Sequence, residues 1–303
     1  MYHFLDAGGP LGRSQDAWTL RARAFWQARQ ERAADGALTG YLLDESPPSI
    51  GRHRFEGEWG QALAWLRQRG VGRGACLDVG CGTGAWLRAL APEFEKVEGW
   101  DYAPAMIKAS RRTLQRAGVR HARLRVGQVT QRHGRAVFDF IFVGGVLMYT
   151  PEPALAPLLK SLARLLKPGG LLLLRESTVR GETWLREGLA LRPGVLGAGP
   201  GLDYVAVYRS RQALGTALEG AGLTLEKSRP NRHYKLSDLS EDWLRRFDAL
   251  SGGRVSRDPA LAERVAAWIF KARFLLCYPE YFVRQTLGLA PWKIQNHWFL
   301  VRR

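Results

Sequence analysis

Ala75-Cys76-Leu77-Asp78-Val79-Gly80-Cys81-Gly82-Thr83-Gly84 decides how this chain is read. Ala75 to Val79 is short and mostly apolar, which predicts a buried strand. Three glycines at alternate positions then predict an abrupt stop. Trp86, Leu87 and Leu90 follow at helical spacing, so the bend joins a strand to a helix. Glycines at such a bend let a ligand lie against bare backbone. The opening turn of the helix directs unbonded N–H groups toward the same space.

Working forward, the pattern predicts a strand at 96–100, a helix at 104–116, a strand at 122–126 and a buried strand from Phe138 to Val143. A helix at 152–166 carries Leu155, Leu158, Leu159, Leu162, Leu165 and Leu166 in one stripe. Pro168-Gly169-Gly170 is expected to end it, and Leu171 to Leu174 reads as a continuous apolar strand. Strands alternating with helices, several apolar throughout, imply a parallel sheet covered on both faces. A helix at 210–221, a strand at 223–228 and a final strand from His297 to Arg302 complete the pattern. About sixty residues lie before that last strand, too many for a structureless loop. Their spacing predicts helices at 240–250 and 258–287, with Leu261, Val265, Trp268, Ile269, Ala272 and Leu276 recurring.

Working backward, Trp59, Leu63 and Leu66 predict a helix near 57–69. A loop rich in Ser, Pro and Gly runs from Leu42 to Gly51. A first helix spans 15–34 with Trp18, Leu20, Ala24, Phe25 and Ala28 roughly on one face. The expected class is therefore α/β: a Rossmann-like, mostly parallel seven-stranded sheet with helices on both faces, a helical N-terminal cover and a helical insertion before the last strand. The expected boundaries are a cap at 1–70, a core at 71–230, an insertion or lid at 231–294 and a last core strand at 295–303.

Composition narrows the setting. The chain has 303 residues, and no window is apolar for long enough to cross a bilayer. The N-terminus lacks the basic-then-apolar order of a secretory signal. Cys76, Cys81 and Cys277 form no even framework, which favours a reducing cytoplasm. The net charge of +17 would attract nucleic acid, anionic membrane or acidic small molecules. Equally, it fits a GC-rich coding bias, because Arg greatly outnumbers Lys and Ala, Gly and Leu abound, and the arginines are scattered, not gathered into a run.

Glu98 to Asp101 end the second predicted core strand, where a carboxylate can accept from a ribose diol. Two cofactor classes fit this geometry. A nicotinamide reading takes Gly80, Gly82 and Ala85 as GxGxxA, with Asp101 about twenty residues on. Three features favour S-adenosylmethionine (SAM): the acidic Asp78 before the bend, the GxGxG spacing, and Leu166-Lys167-Pro168-Gly169-Gly170 leading into an apolar strand.

On these residues, with Trp100-Asp101 followed by Pro104 and Met106, and with Phe138 to Val143, the chain resembles the class I SAM-dependent methyltransferases over roughly 72–228 plus the last strand. The resemblance implies a SAM-binding enzyme whose cofactor site includes Asp78, Gly80, Cys81, Gly82, Gly84, Asp101, Tyr102, Met106, Gln128, Val129 and Gly144. In it, the glycine bend holds the methionine end, Asp101 the ribose, and Gln128 and Val129 the adenine. Many members have Asp where this chain has Gln128. Gly144-Gly145-Val146-Leu147 would line the transfer site.

Methyl transfer from a sulfonium needs alignment more than acid catalysis, and a base only for a hydroxyl or protonated amine. Candidate bases lie where strands end: Glu176 first, then Tyr149, then His233. A capping or ion-paired role competes for Glu176, and a packing role for Tyr149. His133 reads as a loop residue. No histidine or cysteine set has metal-ligand spacing, so no metal is expected. The aromatic segment from Trp268 to Phe282, with Arg264, Lys271, Arg273 and Arg284 interleaved, has three readings: core packing, an acceptor pocket, or peripheral membrane contact.

The acceptor is expected to be a small molecule or a glycan- or lipid-linked group, methylated on oxygen or nitrogen. Alternatives are RNA, or a protein α-N-terminus, given the loose similarity of residues 23–41 to that enzyme group. An NAD(P)-dependent oxidoreductase and a non-catalytic SAM-binding protein remain as readings of other classes.

Overall fold

The computed structural model describes residues 2–4, 15–32, 48–187, 204–287 and 294–303. In chain order the elements are β1 (Tyr2–Phe4), α1 (Gln15–Arg32), α2 (Pro48–Gln68), β2 (Arg73–Val79), α3 (Ala85–Leu90), β3 (Phe94–Asp101), α4 (Pro104–Arg116), β4 (Ala122–Val126), β5 (Phe138–Gly144), α5 (Glu152–Leu165), β6 (Leu166–Val179), β7 (Trp184–Glu187), β8 (Val205–Ser210), α6 (Arg211–Gly220), β9 (Thr224–Pro230), α7 (Arg232–Leu250), α8 (Arg254–Arg257), α9 (Pro259–Lys271), α10 (Arg273–Thr286) and β10 (Ile294–Arg302).

The core sheet runs β4-β3-β2-β5-β6-β10-β9. Its first five strands are parallel. β10 enters antiparallel between β6 and β9. These are the seven strands expected from the sequence. Leu171, Leu172, Leu173 and Leu174 are all fully buried, as a central strand covered on both faces requires. One face packs Leu77, Ile141, Val143, Leu172 and Phe299 with the α5 stripe of Leu155, Leu159 and Leu162 and with Leu214 and Leu218 of α6. On β5, Phe140 and Phe142 alternate with Ile141 and Val143. Phe140 stacks with Phe94 at 5.6 Å and Phe142 with Trp86 at 4.1 Å between ring centres.

Three short strands extend the sheet beyond expectation. β8 pairs in parallel with the last two residues of β6, β7 pairs antiparallel with β8, and β1 pairs antiparallel with β7. β6 can accept β8 because it outruns β5, whose pairing with it stops at Arg175.

Other boundaries also differ. Pro48 to Gly51, expected in a loop, form the first turn of α2; proline is at home there because it has no N–H to leave unbonded. The Ser49 N–H in that turn donates to Glu263 at 3.1 Å. The helix expected at 240–250 begins at Arg232, where the Asn231 side chain caps it by accepting from the Tyr234 N–H. The single helix expected at 258–287 is two, α9 and α10. The break falls at Ala272, where Arg273 turns its guanidinium back to the Phe270 carbonyl at 2.8 Å. Residues 33–34 of the first expected helix, 42–47 of the expected loop, Tyr41 and the 33–41 part of the α-N-terminal similarity lie outside the described residues.

By internal packing the chain divides into two compact units: residues 1–36, 66–230 and 293–303, and residues 37–65 with 231–292. The second unit has its own core of Leu236, Leu239, Ile269 and Cys277, flanked by Trp243, Phe247, Val265, Leu276, Tyr278 and Tyr281. Trp268, Phe274, Leu275, Phe282 and Val283 point outward instead, so the aromatic segment is split between core and surface.

Candidate functional site

The bend after β2 is built on left-handed backbone. Gly80, Gly82 and Gly84 have φ of +69°, +52° and +83°. A side chain at Gly80 would strike Val146 Cγ2 at 2.3 Å, and one at Gly84 would strike Ser110 Oγ at 2.3 Å. Gly82 differs, because nothing lies within 4 Å of where its Cβ would be. The bend is anchored from below: the N–H groups of Gly80 and Cys81 both donate to the Trp100 carbonyl, at 2.7 and 3.0 Å. The Cys81 side chain is buried toward Gly99, and burial pushes its thiol well up.

Asp101 ends β3 beside this bend. One oxygen accepts from the Gly82 N–H at 3.0 Å and the other from the Ala103 N–H at 2.9 Å. Each carboxylate oxygen has a second lone pair, so two acceptor positions remain. Burial pushes Asp101 up to about 6, held back by those two donors. Asp78 is more extreme. Burial, then the Asp101 charge, push it up to about 8 against a weaker pull from Arg175. Its Oδ2 has no hydrogen-bond partner. The Tyr102 hydroxyl, next in sequence to Asp101, is likewise buried and unpartnered.

The structure thus brings Asp78, Gly80, Cys81, Gly82, Gly84, Asp101 and Tyr102 together. Met106 is buried in the first turns of α4. Gly127 N–H donates to the Asp101 carbonyl at 2.9 Å, which ties the following loop to the site. In that loop Gln128 is exposed, and its N–H donates to Gln131 Oε1. The Val129 side chain is packed into the core with Val79 and Trp100, so only its backbone is left for an adenine. Gly144 ends β5, with the Phe142 ring 2.9 Å from where its Cβ would be.

Beyond β5 the chain makes a 3-10 turn at Leu147–Tyr149. Glu176 holds it: Oε1 accepts from the N–H groups of Val146 at 2.8 Å and Leu147 at 3.0 Å. Oε2 has no partner, and burial pushes the carboxyl up to about 7, held back by the turn's N–H groups. Glu176 therefore caps a turn and keeps one oxygen unused. Tyr149 is partly buried, its hydroxyl pushed well above the ordinary phenol range by burial. That hydroxyl lies 3.4 Å from the Tyr204 hydroxyl, which lies 3.1 Å from the Tyr208 hydroxyl.

Sequence reading missed this tyrosine chain, because β8 went unrecognised. Its signal was Val205-Ala206-Val207 between two tyrosines, followed by Ser210, which caps α6 through the Ala213 N–H. Arg209, buried on β8, was missed too. Its guanidinium donates to the Leu147 carbonyl, the Thr150 carbonyl and Glu152, at 2.7–2.9 Å, and fastens β8 to the turn. From α1, Trp18 donates through Nε1 to the Tyr149 carbonyl at 2.9 Å, while Phe25 packs edge-on to Tyr204 and Trp26 edge-on to Tyr149. His233 falls elsewhere: its ring lies on Gly57 in the second unit. His133 is in the loop before β5. Among the described residues no group of His, Cys, Asp or Glu could hold a metal ion.

Residues 76–170 match the family described as a methyltransferase domain. Nodulation protein S of Rhizobium tropici is 34% identical over 95 residues, 31% of this chain and 39% of that protein. Demethylmenaquinone methyltransferase of Bacillus cereus is 30% identical over 126 residues, 38% of this chain and 49% of that protein. The chain spans less than half the length of these relatives. Among solved structures, geranyl diphosphate C-methyltransferase from Streptomyces coelicolor A3(2), in complex with Mg2+, geranyl diphosphate and S-adenosyl-L-homocysteine, aligns over 98% of this chain and 100% of its own, with TM-score 0.53 and 13% identity. The [4+2]-cyclase SpnF aligns over 95% and 94%, with TM-score 0.54 and 16% identity. At such identities the structural likeness concerns the fold.

Proposed function

We propose that this chain, which carries a domain of the class I SAM-dependent methyltransferase superfamily, passes the methyl group of SAM to a small-molecule or glycan- or lipid-linked acceptor, on oxygen or nitrogen. One observation carries the choice of cofactor: the bare bend at Gly82, joined through its N–H to Asp101, at the edge of a sheet closed by the reversed strand β10. A dinucleotide-binding sheet of the ordinary order 3-2-1-4-5-6 has no reversed strand at that place. The relative named for demethylmenaquinone supports a small acceptor.

The residues present fit the cofactor. Gly82 offers open backbone, Asp101 offers two unused lone pairs for a diol, and Asp78 offers a partnerless oxygen. Asp78, raised to about 8, holds a proton near neutrality and would ionise beside a cationic amine. SAM, when bound, supplies a methyl group on a sulfonium that needs no acid to leave. The protein's task is to hold the acceptor in line, which is worth up to ~7–11 kcal/mol when complete. Tyr149 with Trp26 edge-on to it, and Tyr204 with Phe25 edge-on to it, form an aromatic wall beyond β5. The raised Tyr149 hydroxyl stays protonated and serves as a donor. Glu176 is our candidate base, through its unpartnered Oε2, while Oε1 keeps the turn in position.

Incubation of the purified protein with methyl-labelled SAM and fractionated cell extract tests this reading. Label in the small-molecule or lipid fraction supports it. Label in RNA or protein moves the acceptor to those classes. Binding of NADH but not S-adenosylhomocysteine would return the oxidoreductase reading.

A second reading concerns where such an acceptor is met. Phe274, Leu275, Phe282 and Val283 of α10 are 62%, 82%, 66% and 53% exposed, with Lys271 and Arg284 close in sequence. No helix among the described residues is long and apolar enough to cross a membrane. An exposed apolar face beside cations on a chain of charge +17 suits peripheral contact with anionic lipid.

A further inference from the structure

Within the second unit, α2, α7, α9 and the start of α10 line a cavity of about 270 Å³. Its walls include Ile50, Leu236, Phe270 and Tyr278, and four cationic or cation-capable side chains reach it: His53, Arg54, His233 and Arg273. Two of these are answered by acids. Arg54 lies 4.0 Å from the buried Glu58, which also accepts from Asn231 at 2.7 Å. His53 lies 3.3 Å from Glu56 and stacks flat on Phe270, with ring centres 3.7 Å apart.

Arg273 is not, and His233 feels the Glu58 charge without bonding to it. Arg273 spends one N–H on the Phe270 carbonyl, and its guanidinium lies over the rings of Phe270 and Phe274 at 4.1 and 4.7 Å. It forms no ion pair with a carboxylate among the described residues. A guanidinium held by ring faces and one carbonyl keeps most of its fork free for a planar or tetrahedral anion. His233 makes no hydrogen bond among the described residues. Its ring lies directly on the α2 backbone at Gly57, where a Cβ would sit 2.2 Å from Nδ1. Glycine inside a helix costs up to about 1 kcal/mol relative to alanine. Here it admits a ring to the cavity wall that no other residue would admit.

We propose that this cavity binds a small organic anion, a ring or short chain bearing one carboxylate or phosphate, with Arg273 as its charged anchor. The volume lies below the ~300–1,000 Å³ of pockets that take drug-sized ligands, which sets the upper size. Ring-sized apolar walls beside an unanswered cation set the chemistry. This inference does not depend on methyl transfer, and its failure leaves that reading intact.

The test is calorimetry on the full chain with benzoate, phenyl phosphate and benzyl alcohol, three ligands of one shape that differ in head group. One or both anions should saturate, and benzyl alcohol should not. Preference for phenyl phosphate or for benzoate assigns the head group. Arg273→Gln should weaken the binding anion about tenfold or more, and Gly57→Ala, by displacing His233, should weaken it as well. Circular dichroism melting identifies a variant that has lost its fold, in which case the other variant decides. Absence of saturation by either anion into the millimolar range would overturn the proposal. So would equal binding of benzyl alcohol, or undiminished binding in folded Arg273→Gln.

Discussion

Asp78→Asn should stabilise the protein without bound cofactor by an amount that grows with pH. Asp78 is fully buried on β2, with one oxygen unpartnered and a second carboxylate, Asp101, nearby. Its value rises from 3.8 in the unfolded chain to about 8 in the fold. Across that interval the folded state keeps a proton that the unfolded state has lost. Stability from this group is therefore fully present below 3.8 and is lost as pH rises toward about 8. Each pH unit inside the window is worth ~1.4 kcal/mol. Between pH 5 and pH 7, both inside it, the stability gap between Asp78→Asn and wild type should widen by roughly 2–3 kcal/mol. Asparagine cannot titrate, so any fixed change in packing or hydrogen bonding cancels from the comparison. Urea denaturation of both proteins across that pH range measures the gap. A constant or narrowing gap would refute the reasoning, because it would mean that the folded protein already compensates an ionised Asp78.

Asp101→Ala should weaken S-adenosylhomocysteine binding by ~1–3 kcal/mol in calorimetry, through loss of charged hydrogen bonds. Unchanged affinity would remove Asp101 from the site. Gly82→Ala and Gly118→Ala form a matched pair, since both glycines have positive φ, at +52° and +70°, and open space where a Cβ would go. Both should lose ~1–2 kcal/mol of stability from left-handed strain, but only Gly82→Ala should also lose affinity for S-adenosylhomocysteine. At low salt the protein should float with vesicles containing phosphatidylserine, and Phe274→Ser with Phe282→Ser should abolish flotation if α10 is the contact.

The core was legible because its signals are local. A strand, three glycines and a helix occupy residues 75–90, and the carboxylate they need arrives one strand later at Asp101. Leu171 to Leu174 announced a strand buried on both faces within four residues. What escaped reading depends on distant partners. β8 is a strand only because β6 extends beyond β5 and because Arg209 has the Leu147 and Thr150 carbonyls to bind. Pro48 looked like loop, yet its missing N–H suits a first turn, and Ser49 finds its acceptor more than two hundred residues away at Glu263. Glu176 was picked as a base by its position after a strand. Nothing local revealed that one of its oxygens would be occupied by the turn at Val146 and Leu147.

The same division separates the glycine bend from the surface beyond β5. The bend at Gly80–Gly84 is a matter of local backbone, and its signal is complete within five residues. Beyond β5, the surface is assembled from Trp18, Phe25 and Trp26 of α1, Tyr149 of the turn, and Tyr204 and Tyr208 beside β8. These side chains come from three separate stretches, and each could change without disturbing the glycine bend. A structure named as a [4+2]-cyclase shares this fold with one named as a C-methyltransferase, so the sheet does not select the reaction. Arg209 is the residue that couples the aromatic cluster to the sheet: it grips the turn that carries Tyr149 from the strand that follows Tyr204 and carries Tyr208.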